Sequence, residues 1–244
     1  MVAGVPIRAI SFDLFDTLVD LGPVTPAELE DSARAMYELA RRHLELDFAA
    51  FREVLMDVSR KLTAARYAEG REVPTLERFA AVAERLGIAD ESLPVAWTDL
   101  HMGMIESKVR VPDHHGRVLD ALAERVPLAL CSNFTHSPTA VGILDQSQLG
   151  DRLGVVVISD RVGWRKPYEP IFRALLAALG TKPEETLHVG DNLRADVGGA
   201  AALGMQTAWI TRVFDDPDEI AARYDGPPPD HVVSDLSDLV RVIA

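Results

Sequence analysis

Four short stretches of this 244-residue chain carry polar or charged side chains of types that could do chemistry together. SFDLFDTLVD supplies Asp13 and Asp16, and LALCSNFT supplies Ser132 and Asn133. VGWRKPYEPIF supplies Lys166, and HVGDNLRADVGGA supplies Asp191 and Asp196. Carboxylates drawn to one place repel one another unless a hard cation or a lysine lies among them. A donor set made only of oxygen suits Mg²⁺ better than zinc. A cation and Lys166 together would make such a site receptive to an anion, provided the fold brings these distant stretches to one place.

The elements around them can do so. Short apolar runs at Ile7–Phe12, Pro127–Cys131, Val155–Ile158, Thr186–Val189 and Thr207–Ile210 end in small, polar or acidic residues. Continuous apolar runs without alternation read as strands buried on both faces of a parallel sheet. Helical patterns separate them: Tyr168–Leu179, closed by Gly180, and Ala195–Leu203, closed by Gly204. A strand at His231–Val233 and a helix over Leu236–Ile243 are expected to follow the Pro227–Pro229 turn. Such alternation implies right-handed crossovers and an α/β, doubly wound, Rossmann-like core. Ligands of open α/β sheets sit at the carboxyl ends of the strands, where four of the runs deliver the residues above.

Residues 21–110 read differently, as helices with apolar positions three or four apart. One carries Leu29, Ala33, Met36, Tyr37 and Ala40; another carries Phe48, Phe51, Leu55, Val58 and Leu62. Thr75 is expected to cap a third, through Phe79, Val82 and Leu86 to Gly87, and a fourth spans Leu93–Val109. The expected organisation is a discontinuous core, 1–20 and 111–244, with a helical-bundle cap inserted at 21–110.

Composition narrows the function. Lys and Arg number 25 against 38 Asp and Glu, a net charge of −13, which argues against a duplex nucleic-acid partner. One cysteine excludes an internal disulfide or a Cys-based zinc site. The opening MVAGVPIRAISFD has no basic leader before an apolar stretch, and no run reaches membrane-helix length. A soluble, cytoplasmic protein with no membrane partner is expected, as monomer or homodimer. Cys131 reads as buried packing, His188 as a satisfied core histidine, and His114 and His115 as a solvated turn.

The four motifs, in this order and spacing, resemble those of the haloacid dehalogenase superfamily of aspartate-nucleophile hydrolases, and the inserted helices resemble its C1-type cap. The resemblance implies Asp13 as nucleophile and metal ligand, with Thr17 closing its loop. It implies Ser132 on phosphoryl oxygens, with Asn133 on substrate or shaping the loop. Lys166 would offset the charge of Asp13 and of the transferring group. It further implies Mg²⁺ held by Asp13, Asp191 and the backbone carbonyl of Phe15, with Asp196 holding Lys166 or a ligand water. The expected substrate is a small phosphorylated metabolite.

Phe15 departs from the pattern, because phosphatases of this superfamily usually carry an aspartate there as general acid and base. Such a group contributes roughly 10²–10⁴-fold in rate. Weak activity on alkyl phosphate esters is therefore expected, with preference for acyl or aryl phosphates. A metal-independent 2-haloacid dehalogenase, with Asp13 attacking carbon, is one alternative. Phe15 favours it, since dehalogenases have tyrosine there, and Asp191 opposes it. A catalytically weakened binding protein is the other.

Overall fold

A computed structural model describes residues 5–243. The chain folds into two compact units: Gly22–Val109, and the residues before and after that segment.

Gly22–Val109 is helical. Helix α1 (Pro26–Ala40) starts at a capping box: Glu28 N–H donates to Thr25 Oγ1 at 3.3 Å, and Thr25 N–H donates to Glu28 Oε2 at 2.8 Å. Asp47 caps α2 (Phe48–Ala68) by accepting from the Ala50 N–H at 2.9 Å. Helices α3 (Thr75–Arg85) and α4 (Ser92–Glu106) complete the unit. Thr75, expected as the cap of α3, is its first residue and is buried; extended Pro74 (φ −53°, ψ 139°) takes the cap position. The apolar positions read from the sequence meet around Trp97, against Met36, Phe51, Phe79 and Val82. Its indole Nε1–H donates to the Met36 carbonyl at 2.9 Å, so the largest buried ring leaves no polar atom unpaired.

The other unit is built on a sheet. Its strands are β1 (Ala9–Phe12), β4 (Leu128–Ser132), β5 (Val155–Ile158), β6 (Thr186–Gly190), β7 (Gln206–Ile210) and β8 (His231–Val233). They run parallel in the order β5-β4-β1-β6-β7-β8. Two further short strands, β2 (Asp20–Leu21) and β3 (Val109–Arg110), form a separate two-stranded sheet. Every residue of β1, β4, β6 and β7 is buried, as continuous apolar runs require. The expected strands are all present.

Helices α5 (His115–Ala123), α6 (Ser137–Gln146), the short α7 (Ser159–Val162) and α8 (Glu169–Leu179) alternate with the strands between β3 and β6. Gly180 ends α8 in the left-handed conformation at φ 68°, which a glycine adopts without cost. The helix expected over Ala195–Leu203 is instead a π-helical turn, Leu193–Gly198, running into Gly199–Ala201. From β1 the chain fills β4 and β5 on one side, then crosses to β6, β7 and β8 on the other. The carboxyl ends of β1, β4 and β6 are therefore neighbours at a topological switch point. Among the described residues, no helix is long and apolar enough to cross a membrane.

Candidate active site

Asp13 follows the last residue of β1, and its N–H donates to the Val189 carbonyl of β6 at 2.9 Å. The loop behind it is tight. Asp16 takes φ 57°, its Oδ1 accepts from the Leu21 N–H at 3.1 Å, and Phe15 bridges to Val19. Asp16 thus braces its own loop. Thr17 is buried there, with no hydrogen-bond partner for its Oγ1. The Phe15 ring meets the Phe134 ring edge-on, with centroids 5.1 Å apart.

Lys166 is the centre of the charge arrangement. Its Nζ donates to Asp196 Oδ1 at 2.5 Å and to the Cys131 carbonyl at 2.7 Å, and stands 3.0 Å from Asp13 Oδ1. The last contact is an ion pair without hydrogen-bond alignment, so Asp13 Oδ1 is a buried oxygen lacking a donor. Burial opposes charge on Lys166, but Asp13 and Asp196 outweigh it and raise its pKa, so the ammonium persists. The fully buried Cys131 thiol is pushed up to about 12 by that burial, and stays an inert part of β4.

Asp196 is fully committed. Oδ1 accepts from Lys166 and from His188 Nε2 at 3.1 Å, and Oδ2 accepts from the Asn192 N–H at 3.0 Å. Burial would raise its pKa, yet Lys166 and His188 together hold it below the ordinary carboxylate value. The Asn192 side chain caps the π-helical turn through the Arg194 and Ala195 N–H groups, which fixes where Asp196 falls. Gly190 permits the approach, since a Cβ there would lie 2.2 Å from the Asp196 carboxyl carbon.

His188 does more than satisfy itself in the core. Nε2 gives its proton to Asp196, so Nδ1 accepts from the Ser11 hydroxyl at 2.8 Å. Ser11 and His188 are register partners across β1 and β6. Ser11, His188, Asp196, Lys166 and Asp13 form one continuous chain of contacts. The signal for the first two was present in the sequence: each is a polar residue inside an otherwise apolar strand, two or three positions before a motif residue.

Asp191 follows β6, its carbonyl accepting from Trp209 Nε1–H at 2.7 Å. Burial first, then the nearby Asp13 and Asp196, push its carboxyl up to about 8. One carboxylate oxygen from each of Asp13, Asp191 and Asp196 lies within 4.8 Å of the others. Three donors already occupy Asp196, so Asp13 and Asp191 are the carboxylates open to a cation. A hard divalent ion fits this all-oxygen pair, and would supply a partner for the buried Asp13 oxygen.

Ser132 is buried at the end of β4, opposite Ile158. Asn133, read from the sequence as contacting substrate or shaping the loop, has both ends of its amide on the Lys166 backbone. Its Oδ1 accepts from the Lys166 N–H at 2.7 Å and its Nδ2 donates to the Lys166 carbonyl at 2.9 Å. Both ends of the amide thus clamp the backbone of the lysine.

Comparison with known proteins agrees with this geometry. A model of haloacid dehalogenase-like hydrolases matches residues 7–204. The chain is 32% identical over 211 residues to the 5-amino-6-(5-phospho-D-ribitylamino)uracil phosphatase YigB of Escherichia coli, covering 84% of this chain and 83% of that one. It is 26% identical over 243 residues to (S)-2-haloacid dehalogenase 1 of a Pseudomonas species, covering 98% and 97%. In fold it resembles a 2-haloacid dehalogenase from Pseudomonas syringae pv. Tomato DC3000, with TM-score 0.74 at 21% identity over 97% and 98% of the two chains. The matched stretch contains all four motifs and every residue of the Lys166 network, and the chain belongs to the haloacid dehalogenase-like hydrolase family.

Proposed function

We propose that the protein is a Mg²⁺-dependent phosphatase of a small phosphorylated metabolite, working through an aspartyl-phosphate on Asp13. The observation that carries this reading is Asp191, a second carboxylate beside Asp13. Burial and crowding by Asp13 and Asp196 disfavour charge on Asp191 unless a cation is present. That cation would also balance an incoming phosphoryl group, whereas a metal-free dehalogenase has no use for the second acid.

Asp13, Asp191 and the Phe15 carbonyl would hold Mg²⁺, which supplies positive charge opposite the transferring phosphoryl group. The Asp13 carboxylate oxygen not taken by the cation attacks phosphorus, and the leaving oxygen departs from the opposite side. Lys166 offsets the negative charge on the nucleophile and on the phosphoryl oxygens. Asp196 and Asn133 hold Lys166 from its two ends, the ammonium and the backbone. Ser132 and nearby backbone N–H groups bind phosphoryl oxygens. Water then cleaves the acyl-phosphate and regenerates Asp13. The helical unit serves as a cap that selects the substrate.

Phe15 leaves the site without the usual carboxylic acid, so leaving groups that need little protonation, acyl and aryl phosphates, turn over faster than alkyl monoesters. A panel of phosphorylated metabolites assayed with Mg²⁺ tests the reading on wild type, Asp13→Asn and Phe15→Asp. The expected pattern is activity abolished in Asp13→Asn and alkyl-ester turnover gained in Phe15→Asp. Three indistinguishable flat profiles would overturn it.

A second reading, metal-independent dehalogenation of a 2-haloacid, draws on the aromatic Phe15. Halide release that persists in EDTA would establish it in place of the first.

A further inference from the structure

A second cluster of ligating side chains lies in the sheet unit apart from the Lys166 network. His114 and His115, expected as a solvated turn, differ sharply: the His115 side chain is fully buried, and both approach Asp235. His114 Nε2 lies 2.9 Å from each Asp235 oxygen, and His115 Nε2 lies 3.9 Å from Oδ2. Asp235 Oδ1 is already used, accepting from the Ser237 N–H at 2.9 Å, which leaves Oδ2 as the oxygen facing both rings.

The tautomer of His115 follows from its other contact. Nδ1 is 2.8 Å from the Leu18 carbonyl, which can only accept, so Nδ1 carries the proton and Nε2 presents a lone pair. That Nε2 is buried and has no hydrogen-bond partner. Burial also holds the ring neutral by lowering its pKa. A histidine whose Nδ1–H is fixed by a backbone carbonyl, with Nε2 bare and aimed at a carboxylate, is oriented as metal-bound histidines are. The nearby cation, Arg212, is paired with Asp20, so its charge is met elsewhere.

We propose that His114 Nε2, His115 Nε2 and Asp235 Oδ2 form a Zn²⁺ site, with water as the fourth ligand. These atoms lie within 4.8 Å of one another, and tetrahedral bonds of about 2.1 Å put ligand atoms roughly 3.4 Å apart, so small side-chain adjustments complete the site. Two imidazoles and one carboxylate suit zinc, whereas the Asp13–Asp191 pair offers oxygen alone. Metal here would tie the loop containing Leu18, five residues beyond Asp13, to the C-terminal turn at Asp235. The site belongs to the stability of the sheet unit, and it stands or falls independently of the phosphatase reading.

The test uses the full, untagged chain, stripped with EDTA and then held in excess Mg²⁺ to saturate the carboxylate pair. Titration with Zn²⁺ followed by calorimetry should show one equivalent bound, and Co²⁺ should give the visible absorption of a four-coordinate histidine site. His114→Ala and Asp235→Asn should each weaken Zn²⁺ binding by at least about 100-fold, since even outer partners of a ligand are worth roughly 10–100-fold. Asp191→Asn should leave it intact. Asn at 235 retains an oxygen to cap the turn, so that variant decides the question even where a substitution of buried His115 fails to fold. Absence of a saturable equivalent, or Zn²⁺ binding unchanged in both His114→Ala and Asp235→Asn, would overturn the site.

Discussion

The two units of this protein handle buried polarity in opposite ways. Gly22–Val109 gathers Met36, Phe51, Phe79, Val82 and Trp97 into an apolar cluster, and the one polar atom of the Trp97 side chain is paired with a backbone carbonyl. The sheet unit buries Ser11 and His188 within its strands and Lys166 and Asp196 beside them. The first arrangement draws its stability from packing. The second holds charge away from water so that it stays fixed in direction, a cost tolerated only where each charge has partners. Carboxylates and a lysine arranged this way need no reorganisation when a substrate arrives.

The sharpest separation of the two roles comes from Asp13→Asn. Turnover should fall on the order of 10⁴-fold or more, as expected for loss of a nucleophile. The fold should survive, because Asp196 still pairs Lys166. Thermal unfolding alongside kcat measures both, and a variant that loses activity by unfolding would not support the assignment.

Lys166→Met and Trp97→Ala set the two cores against each other. The first leaves Asp13 and Asp196 buried without their cation, worth about 3–5 kcal/mol of destabilisation. The second opens a large cavity beside Phe51 and Phe79, also worth about 3–5 kcal/mol. The stability losses should match in urea unfolding while their rescue differs. Asp196→Asn added to Lys166→Met should recover part of the loss, whereas it should recover nothing on top of Trp97→Ala.

His101 tests the apolar character of the helical unit. His101 meets the Phe79 ring edge-on, and burial, with nearby Arg78, lowers its pKa from 6.5 to about 4. Between those values the unfolded chain binds the proton and the folded protein does not, so stability is lost as pH falls from 6.5 towards 4. The full loss amounts to about 3 kcal/mol at most. Urea unfolding at about pH 7 and about pH 4.5 should show a pH-dependent loss in wild type that shrinks in His101→Leu. An unchanged difference would assign the acid sensitivity to other groups.

Legibility from sequence follows the same division. The strands were plain because parallel strands buried on both faces need unbroken apolar runs; Asp13, Ser132 and Asp191 stand where those runs stop, and Lys166 and Asp196 lie in the segments that follow. The clustering of the helix faces bearing Met36 and Phe51 followed from their spacing. What local pattern could not supply was register. Ser11 and His188 become partners only once β1 and β6 are aligned, and Asn133 finds the Lys166 backbone across 33 residues. The polar sequence around His114 and His115 suggests solvent, yet His115 is buried and His114 pairs with Asp235, more than a hundred residues on. The π-helical turn at Leu193–Gly198 was equally hidden, since Asn192 and Asp196 secure it through contacts that no helical periodicity encodes.

The smallest effect is the most specific to the sheet unit. Ser11→Ala removes the hydroxyl proton that His188 Nδ1 accepts, leaving a buried ring nitrogen without a donor. Because both residues lie inside fully buried strands, water cannot readily replace it, and the cost should be about 1–3 kcal/mol. The imidazole nevertheless keeps its Nε2 proton on Asp196, and Asp196 keeps Lys166. Turnover should therefore fall by less than about tenfold, well short of the loss in Asp13→Asn, while the unfolding midpoint drops measurably. If kcat collapsed with stability preserved, Ser11 would have to act on the reaction rather than on the framework. The chain from Ser11 to Asp13 would then carry protons instead of holding charges in place.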